Sequence, residues 1–214
     1  VLLFLTCSLV SVPAWAESSL EGSAPNVILM ITDDQGYGPV GRHGHPWIQT
    51  PCLDELYDSS LRFTRFLVSP TCAPTRSALM TGRHPMRNGV THTILERERM
   101  TLDATTLPQV LKETGYTTGI FGKWHLGEYD DPRPGWDFWC SFKGQGNYNS
   151  NLLNIDGTRI TKDGYVTDVL TDYAVDFINQ DQDEPFLLYL SHKAVHGPFT
   201  PPKRHKDIYK GLLA

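Results

Sequence analysis

The sequence lacks three features that would point to particular classes of protein: an excess of positive charge, internal repeats, and an apolar run long enough to span a bilayer. The net charge of its 214 residues is −5, which gives no reason to expect a nucleic acid as a partner. The first apolar run, residues 1–10, is shorter than the ~20 residues of a transmembrane helix, so we expect no stable membrane insertion. With 40% hydrophobic and 20% charged residues, the composition is that of a globular domain or part of one.

The chain also has no initiator methionine and no basic segment before this apolar run. The run is followed by Ala14-Trp15-Ala16, which resembles a signal-peptidase cleavage site. We therefore interpret residues 1–16 as a secretory signal peptide that lacks its first residues, 17–24 as a linker, and 25–214 as a globular domain. The expected location is periplasmic or extracellular, or lysosomal in a eukaryote. A buried N-terminal strand is the alternative interpretation of the first segment.

Apolar runs and amphipathic segments alternate along the rest of the chain. The apolar runs predict strands at residues 26–32, 61–68, 117–121 and 185–190, with the first and last buried. The helical patterns cover residues 53–57, 72–80, 105–114 and 166–178. Residues 128–160 are rich in glycine, proline, aspartate and asparagine, which predicts a long irregular excursion. The alternation predicts an α/β fold with a largely parallel or mixed sheet.

Chemically active side chains follow three of the predicted strands. Asp33 and Asp34 follow the first, Lys123 and His125 follow the third, and His196 follows the last. Because ligand sites in α/β sheets gather at the carboxyl ends of strands, we predict that these groups share one site. Each group also has an ordinary alternative, such as a helix N-cap for the aspartates or a structural role for the lysine and the histidines.

The residue types suit an anionic substrate. Adjacent carboxylates offer oxygens to a hard divalent cation, although two carboxylates are too few for a complete Ca²⁺ site. Lys123 offers positive charge to sulfate or phosphate oxygens, and His125 offers proton transfer near neutral pH. His192 is a second candidate histidine and ranks below His196.

Cys72 begins a predicted helix, where backbone N–H groups and the helix dipole favour negative charge. That position would stabilise a thiolate or an alkoxide. Arg76 lies one helical turn further along on the same face and could hold such an anion. The alternatives are a surface helix arginine and a chance occurrence of the string C-x-P-x-R, since proline is common in a first helical turn.

Five motifs, in order, resemble those of the type I sulfatase family. Residues 72–76 read Cys-Ala-Pro-Thr-Arg and residues 81–83 read Thr-Gly-Arg, as in the family signature C-x-P-[ST]-R and the T-G-R element behind it. The other three motifs are residues 25–34, 122–127 and 196–198. In addition, residues 134–137 resemble the family's R-G-F-D-type element, with tryptophan in place of phenylalanine. The resemblance implies an alkaline-phosphatase-like sandwich, here incomplete, with a mixed, largely parallel sheet flanked by helices.

The resemblance also implies a cofactor made from the chain itself. A formylglycine-generating maturation enzyme would oxidise Cys72 to formylglycine, whose hydrate serves the family as nucleophile and as metal ligand. Asp33 and Asp34 would bind the divalent cation, which is usually Ca²⁺, with Mg²⁺ as an alternative. The implied substrate is a sulfate ester of a glycan or of an aryl alcohol.

The remaining candidate residues take their roles from the same resemblance. Arg76 and Lys123 would orient and stabilise the hydroxyl groups at residue 72. His125 would take the proton from the second of these hydroxyls. His196 would contact the sulfate group and assist the departure of the alcohol.

The sequence departs from the family pattern after His196. Sulfatases take an Asp-Asn type pair of metal ligands and a second sulfate-binding lysine from a later segment, and no such pair follows here. We therefore interpret residues 25–214 as a truncated N-terminal part of a sulfatase catalytic domain, and we expect it to bind metal poorly and to be inactive alone. Conversion of Cys72 would leave Cys52 and Cys140 as a potential disulfide, which the sequence does not decide.

Two segments indicate different branches of the family. Residues 147–157 and 165–170 resemble the N-acetylglucosamine-6-sulfatase branch, whereas residues 91–99 resemble bacterial arylsulfatases. Phe142 and Tyr148 could line a sugar subsite or pack within their loop. The alternative functions are a phosphonate monoester or phosphodiester hydrolase of the same superfamily, and a non-catalytic glycan- or cation-binding protein in which the motif cysteine remains a thiol.

Overall fold

The computed structural model describes residues 22–180 and 183–212. Its strands are β1 (Val27–Ile31), β2 (Thr117–Gly122), β3 (Phe138–Ser141), β4 (Asn149–Ile155), β5 (Thr158–Tyr165) and β6 (Phe186–Ser191). Its α-helices are α1 (Pro51–Ser59), α2 (Cys72–Thr81), α3 (Pro85–Asn88), α4 (Leu107–Glu113) and α5 (Val166–Ile178). Short 3₁₀ turns cover Gly41–His43, Leu95–Glu98 and Lys203–His205. The predicted signal peptide and most of the predicted linker lie outside the described residues.

The six strands form one mixed sheet in the order β1-β6-β2-β3-β4-β5. Strands β1, β6, β2 and β3 pair in parallel with one another, whereas β4 is antiparallel to β3 and β5 is antiparallel to β4. The predicted α/β class with a mixed, largely parallel sheet is therefore confirmed. Because the parallel strands run in one direction, their carboxyl ends meet at the same edge of the sheet.

Strand β6 shows how the sheet is covered on both faces. Its side chains alternate between two hydrophobic clusters, as the period of two in a strand requires. Phe186, Leu188 and Leu190 pack in the cluster that also contains α5. Leu187 and Tyr189 pack in the second cluster, which also contains Ala73 and Met80 of α2 and three tryptophans, Trp124, Trp136 and Trp139. The continuous burial of β6 explains its uninterrupted apolar sequence.

Helix α5 has the bounds that its periodicity predicts. Val166, Leu170, Ala174 and Phe177 are its buried residues, and their spacing places them on one face of the helix. That face packs against β2, β5 and β6. In the described part of the chain, no helix combines the length and the apolar character that crossing a membrane requires.

The first predicted strand is present as β1, but the prediction that it is buried is wrong. It lies at one end of the sheet, and β6 is its pairing partner among the described strands. Ile28 and Met30 are 52% and 57% exposed, whereas Val27, Leu29 and Ile31 pack against the second cluster. An apolar run does not by itself distinguish a strand covered on both faces from one covered on a single face.

The predicted strand at residues 61–68 is wrong. The segment has irregular and turn conformation, and Leu61, Phe63, Phe66 and Leu67 are each more than two-thirds exposed. A strand needs a neighbouring strand to accept and donate its backbone hydrogen bonds. No strand of the described sheet pairs with this segment, so its apolar sequence alone does not make it extended and paired.

The irregular excursion predicted at residues 128–160 is wrong in its second half, which contains β3, β4 and the start of β5. Asp156 and Gly157 connect β4 to β5 with positive φ angles of 48° and 92°. Aspartate and glycine are the residues that tolerate this conformation in a two-residue hairpin turn. The strands were not predicted because β4 and β5 carry many polar residues, so no apolar run marks them.

Candidate active site

The segments that leave β1, β2 and β6 are joined at the carboxyl edge of the sheet. The amide of Asp33 donates to the carbonyl of Ala194 at 2.9 Å, and the amide of Val195 donates to the carbonyl of Asp33 at 2.9 Å. The amide of Lys123 donates to the carbonyl of Ser191 at 2.7 Å. These backbone bonds hold the segments with the candidate residues side by side.

Cys72 is the first residue of α2, as the sequence predicts, and its side chain points into this site. Its Sγ lies 3.2 Å from Nδ1 of His125 and 3.7 Å from Nζ of Lys123. The cysteine is half-buried. A group at residue 72 therefore meets one proton-transfer group and one cation.

A buried cluster of two cations and one carboxylate lies beside Cys72. Asp33 accepts from Nη2 of Arg76 at 3.2 Å and forms a close ion pair with Nζ of Lys123. All three side chains are at most 2% exposed. Burial alone would raise the pKa of Asp33, but the charges of Arg76 and Lys123 outweigh burial and lower that pKa. The carboxylate therefore stays ionised, and the cluster keeps an excess of positive charge.

Arg76 lies one turn after Cys72 in α2, but its guanidinium reaches past the cysteine. It donates to the carbonyl of Lys123 at 2.7 Å, to the hydroxyl of Ser191 and to Asp33. The described hydrogen bonds thus connect Arg76 to the carboxylate and to the ends of β2 and β6, rather than directly to the Cys72 sulfur. From there it fixes the backbone of Lys123 and adds positive charge to the site.

His125 lies in the centre of the site and is 4% exposed. Burial, followed by the positive charges of Lys123 and Arg76, lowers the pKa of His125 to about 3. The imidazole is therefore neutral at neutral pH and can accept a proton. Its Nδ1 faces Cys72, and its Nε2 lies 3.7 Å from Oε2 of Glu98.

Gln145 and Ser191 are site residues that the sequence analysis does not single out. Nζ of Lys123 donates to Oε1 of Gln145, and Nε2 of Gln145 lies 3.5 Å from Nε2 of His125. Ser191 donates to the carbonyl of Lys123 at 2.7 Å. Gln145 stands between Gly144 and Gly146, which both have positive φ, so a Gly-Gln-Gly turn is the one signal that could have marked it.

His196 and Asp34 form the exposed side of the site. Nε2 of His196 lies 3.4 Å from Oδ2 of Asp34, and the two side chains are 24% and 53% exposed. The hydroxyl of Tyr148 donates to the backbone carbonyl of His196 at 2.5 Å, which fixes this loop. His192 is buried instead, and its Nδ1 has no hydrogen-bond partner among the described residues. The structure thus places His196 nearer to the candidate carboxylates than His192.

Phe142 and Tyr148 belong to the hydrophobic core rather than to an open sugar subsite. They are 2% and 5% exposed, and both lie in the cluster that contains α5. The Tyr148 ring stacks on that of Tyr165 with a centroid distance of 5.6 Å. The geometry therefore favours the interpretation that both residues pack within the protein.

The three cysteines of the described chain do not form a disulfide. Cys52 is exposed on α1, whereas Cys140 is buried in β3 and Cys72 faces the candidate site. Burial, with a smaller contribution from Asp156, raises the pKa of Cys140 to about 12. Cys140 is therefore a protonated core residue at neutral pH, and the potential Cys52–Cys140 pair is absent.

The described residues offer only part of a divalent-cation site. Asp33 and Asp34 supply the carboxylate oxygens that hard cations prefer. However, Arg76 and Lys123 engage the oxygens of Asp33, and the described residues contain no group of three or more His, Cys, Asp or Glu side chains that could hold a metal ion. Two carboxylates are fewer than the six to eight oxygen ligands that Ca²⁺ takes in proteins.

Known proteins that are similar in sequence to this chain include several sulfatases. Arylsulfatase J of Mus musculus is 34% identical, with 89% of this chain and 36% of that protein aligned. The N-acetylglucosamine-6-O-sulfatase of Bacteroides thetaiotaomicron is 33% identical, with 90% of this chain and 34% of that protein aligned. The chain therefore spans about a third of the length of these relatives.

This chain is also similar to a protein of known structure, and it matches a family model. A protein solved in complex with its substrate D-glucosamine-2-N,6-O-disulfate superimposes with a TM-score of 0.80 at 33% identity, covering 87% of this chain and 37% of that one. The family model described as Sulfatase matches residues 25–212, which include every candidate site residue named above. The chain thus belongs to the sulfatase family.

Proposed function

We propose that this chain carries the nucleophile-forming residue of a sulfuric ester hydrolase that is longer than 214 residues. The contact of Cys72 with both His125 and Lys123 is the observation that supports this most directly. A nucleophile needs a proton acceptor within hydrogen-bond reach, and a sulfate group needs nearby positive charge. The relatives are about three times longer than the aligned chain, so we assign the activity to the longer protein and expect residues 25–214 alone to be inactive.

We propose that residue 72 acts as formylglycine. The conversion turns –CH₂SH and water into –CHO and H₂S, and the two electrons released go to an external oxidant such as dioxygen, on a separate maturation enzyme. The position of Cys72 fits this group, because the start of α2 and the Lys123 ammonium favour oxygen atoms that carry negative charge. The hydrated aldehyde would supply the attacking hydroxyl and a second hydroxyl through which sulfate is later released.

The side chains around residue 72 then have distinct tasks in the net reaction, R–OSO₃⁻ plus water giving R–OH and HSO₄⁻. Lys123 and Arg76 hold positive charge near the sulfate, where it offsets the charge that develops during transfer. Neutral His125 accepts a proton from the hydroxyl that its Nδ1 faces. To His196, which contacts Asp34 on the exposed side of the site, we assign the protonation of the departing alcohol.

We further propose that Asp33 and Asp34 are two ligands of a divalent cation, Ca²⁺ or alternatively Mg²⁺. Their carboxylates suit such ions, and the missing ligands would come from the remainder of the longer protein. Cation binding would compete with Lys123 and Arg76 for the oxygens of Asp33, so we expect the Lys123 ammonium to shift toward residue 72 when the ion is present.

For the substrate we propose a sulfated glycan, such as a 6-O-sulfated glucosamine derivative. Two comparisons support this class: the sequence similarity to an N-acetylglucosamine-6-O-sulfatase, and the similarity to a structure solved with a disulfated glucosamine. Aryl sulfates are the alternative, since arylsulfatases are equally similar in sequence. Such a substrate fits the exported protein that the first 16 residues predict, in the periplasm, outside the cell or in a lysosome.

The deciding experiment is the mass of the tryptic peptide 66–76 from full-length protein made together with its maturation enzyme. We expect the loss that corresponds to conversion of the thiol to an aldehyde, with turnover of a 6-O-sulfated N-acetylglucosamine. Chelation should abolish turnover and Ca²⁺ should restore it, and Cys72→Ala is the inactive control. Faster turnover of a phosphodiester would favour the phosphonate or phosphodiester hydrolase, and an unmodified thiol with sugar binding would favour a non-catalytic binding protein.

A further inference from the structure

Glu98 is a buried carboxyl group that none of the roles proposed above uses. It ends the 3₁₀ turn Leu95–Glu98 and is 3% exposed, although Leu95 in the same turn is 85% exposed. It belongs to the charged segment 91–99, which the sequence analysis associates with arylsulfatase-type proteins. A buried carboxylate without partners costs considerable free energy, so its position needs a physical explanation.

The structure places two groups beside the Glu98 carboxyl: the imidazole of His125 and the exposed carboxyl of Glu128. Oε2 of Glu98 lies 3.7 Å from Nε2 of the imidazole, and Oε1 has no hydrogen-bond partner in the described part of the chain. The backbone keeps the two segments together, since the amide of Met100 donates to the carbonyl of Leu126 at 3.5 Å. Burial, and then the charge of Glu128 and a hydrogen bond with its side chain, raise the pKa of Glu98.

The ring of His125 connects this carboxylate to residue 72. Its Nε2 faces Glu98, and its Nδ1 faces the Cys72 sulfur at 3.2 Å. A neutral imidazole carries one N–H, so the group that binds one nitrogen decides the state of the other. If Nε2 holds the proton and donates to Glu98, then Nδ1 presents a lone pair to residue 72 and can accept a proton there.

Gln145 is a competitor for the same nitrogen and favours the opposite tautomer. Lys123 can only donate, so it fixes Oε1 of Gln145 and turns the amide N–H groups toward Nε2 of His125, 3.5 Å away. An amide donor at this position would place the imidazole proton on Nδ1. The Glu98 contact, at 3.7 Å, is longer than a hydrogen bond, whereas the Gln145 contact is at the limit of one. A hydrogen bond to a charged carboxylate is about twice as strong as one between neutral groups, so a small approach of Glu98 toward Nε2 would favour it over Gln145.

We propose that Glu98 is a positioning residue that holds the proton of His125 on Nε2, so that Nδ1 can act as the base at residue 72. That His125 acts as a base rests on the proposed function. The position of its proton on Nε2 does not depend on that function. The arrangement follows the general pattern in which a nucleophile contacts a base and a third group orients that base.

The first test reads the tautomer directly by NMR of full-length protein labelled with ¹⁵N-histidine, with His125→Gln to assign the signal. We expect the Nε2–H form in the unaltered protein. Glu98→Met, which keeps the side-chain length but removes both oxygens, should move His125 to the Nδ1–H form. Glu98→Gln, the more conservative change, should move it partly. The matched control is Glu96→Met in the same turn, where the side chain is 86% exposed and the tautomer should not change.

This measurement needs no turnover, so it judges the proposal even if the protein does not hydrolyse sulfate esters. An Nδ1–H form in the unaltered protein would show that Gln145 governs the imidazole and would overturn the proposal. So would an unchanged Nε2–H form in both Glu98 variants, because Glu98 would then be a packing residue.

The second test is a double-mutant cycle in the active full-length enzyme. We expect Glu98→Met to lower kcat by about 10²-fold, within the range that a positioned general base contributes, with little change in KM. Because Glu98 acts through His125, adding Glu98→Met to His125→Ala should cause little further loss. A full additional loss in the double variant would indicate that Glu98 only supports the fold, and would contradict the proposal.

Discussion

At the scale of individual residues, the candidate site contains more buried cations than buried carboxylates close to them. Arg76 and Lys123 share one carboxylate, Asp33, and Lys193 is also buried, at 1% exposed. The Lys193 amine contacts the carbonyl of Gly197 at 3.3 Å and lies 4.8 Å from the centre of the Tyr148 ring. Burial, followed by the charge of Lys123, lowers the pKa of Lys193. Such a concentration of cations in a low-dielectric region is stabilised by an anionic ligand.

Substitution of Lys123 tests whether this charge serves the reaction. In the full-length enzyme, Lys123→Met should lower kcat/KM for a sulfate ester by about 10²–10³-fold, the usual cost of losing one group that stabilises developing charge. Steady-state kinetics gives the ratio, and a thermal melt checks that the variant is folded. Lys143→Met is the matched control, because Lys143 is 66% exposed and its ion-pair partner among the described residues is the exposed Glu128. Equal kinetics for the two variants would remove Lys123 from the proposed site.

At the scale of secondary-structure elements, the backbone at the end of β2 lies unusually close to the backbone at the end of β6. Gly122 has a φ of +121°, and a Cβ atom added to it would lie 1.9 Å from the carbonyl oxygen of Ser191. The same carbonyl accepts from the amide of Lys123 at 2.7 Å. Glycine is required here because any side chain would push β2 and β6 apart. The position of Lys123 therefore depends on its neighbour having no side chain.

Gly122→Ala should destabilise the protein and disturb the site. Strained backbone alone costs about 1–3 kcal/mol, and the clash with Ser191 adds to this. Gly157→Ala is the control, since Gly157 also has a positive φ, of +92°, but has no atom within 4 Å of an added Cβ. Urea unfolding should show a larger loss for Gly122→Ala, with an additional loss of activity per folded molecule. Equal losses in both variants would mean that the close approach is unimportant.

The elements with a regular apolar pattern could be predicted from sequence, and so could the edge where the site lies. The periodicity of α5 gave its bounds, and the positions of Asp33 and Lys123 after strands indicated a shared edge. Glu98 and Gln145 were not found, because they reach the site from a charged 3₁₀ turn and a glycine-rich loop that have no periodicity. Their contacts depend on how distant segments pack, which a local pattern does not encode.

At the scale of the whole molecule, apolar side chains are concentrated on one surface next to β1. A groove between β1, α2 and the segment after residue 61 is lined by Met30, Phe66, Leu67, Val68 and Leu79, among others. Phe66 and Leu67 are 68% and 92% exposed, and Met30 is 57% exposed. Exposed apolar residues that lie next to one another can mark a surface that associates with other protein. The segment wrongly predicted as a strand thus contributes to this apolar groove.

The 214-residue chain on its own should therefore self-associate through the apolar groove. We expect it to bind a hydrophobic dye such as ANS and to show a molar mass that rises with concentration in light scattering, since removing apolar surface from water is favourable. Phe66→Ser combined with Leu67→Ser should weaken both signals. Val175→Ser is the control, because Val175 is 46% exposed on α5, away from the groove. If the double variant and the control behave alike, the groove is not the associating surface, and the exposed apolar residues near β1 have no role beyond their local packing.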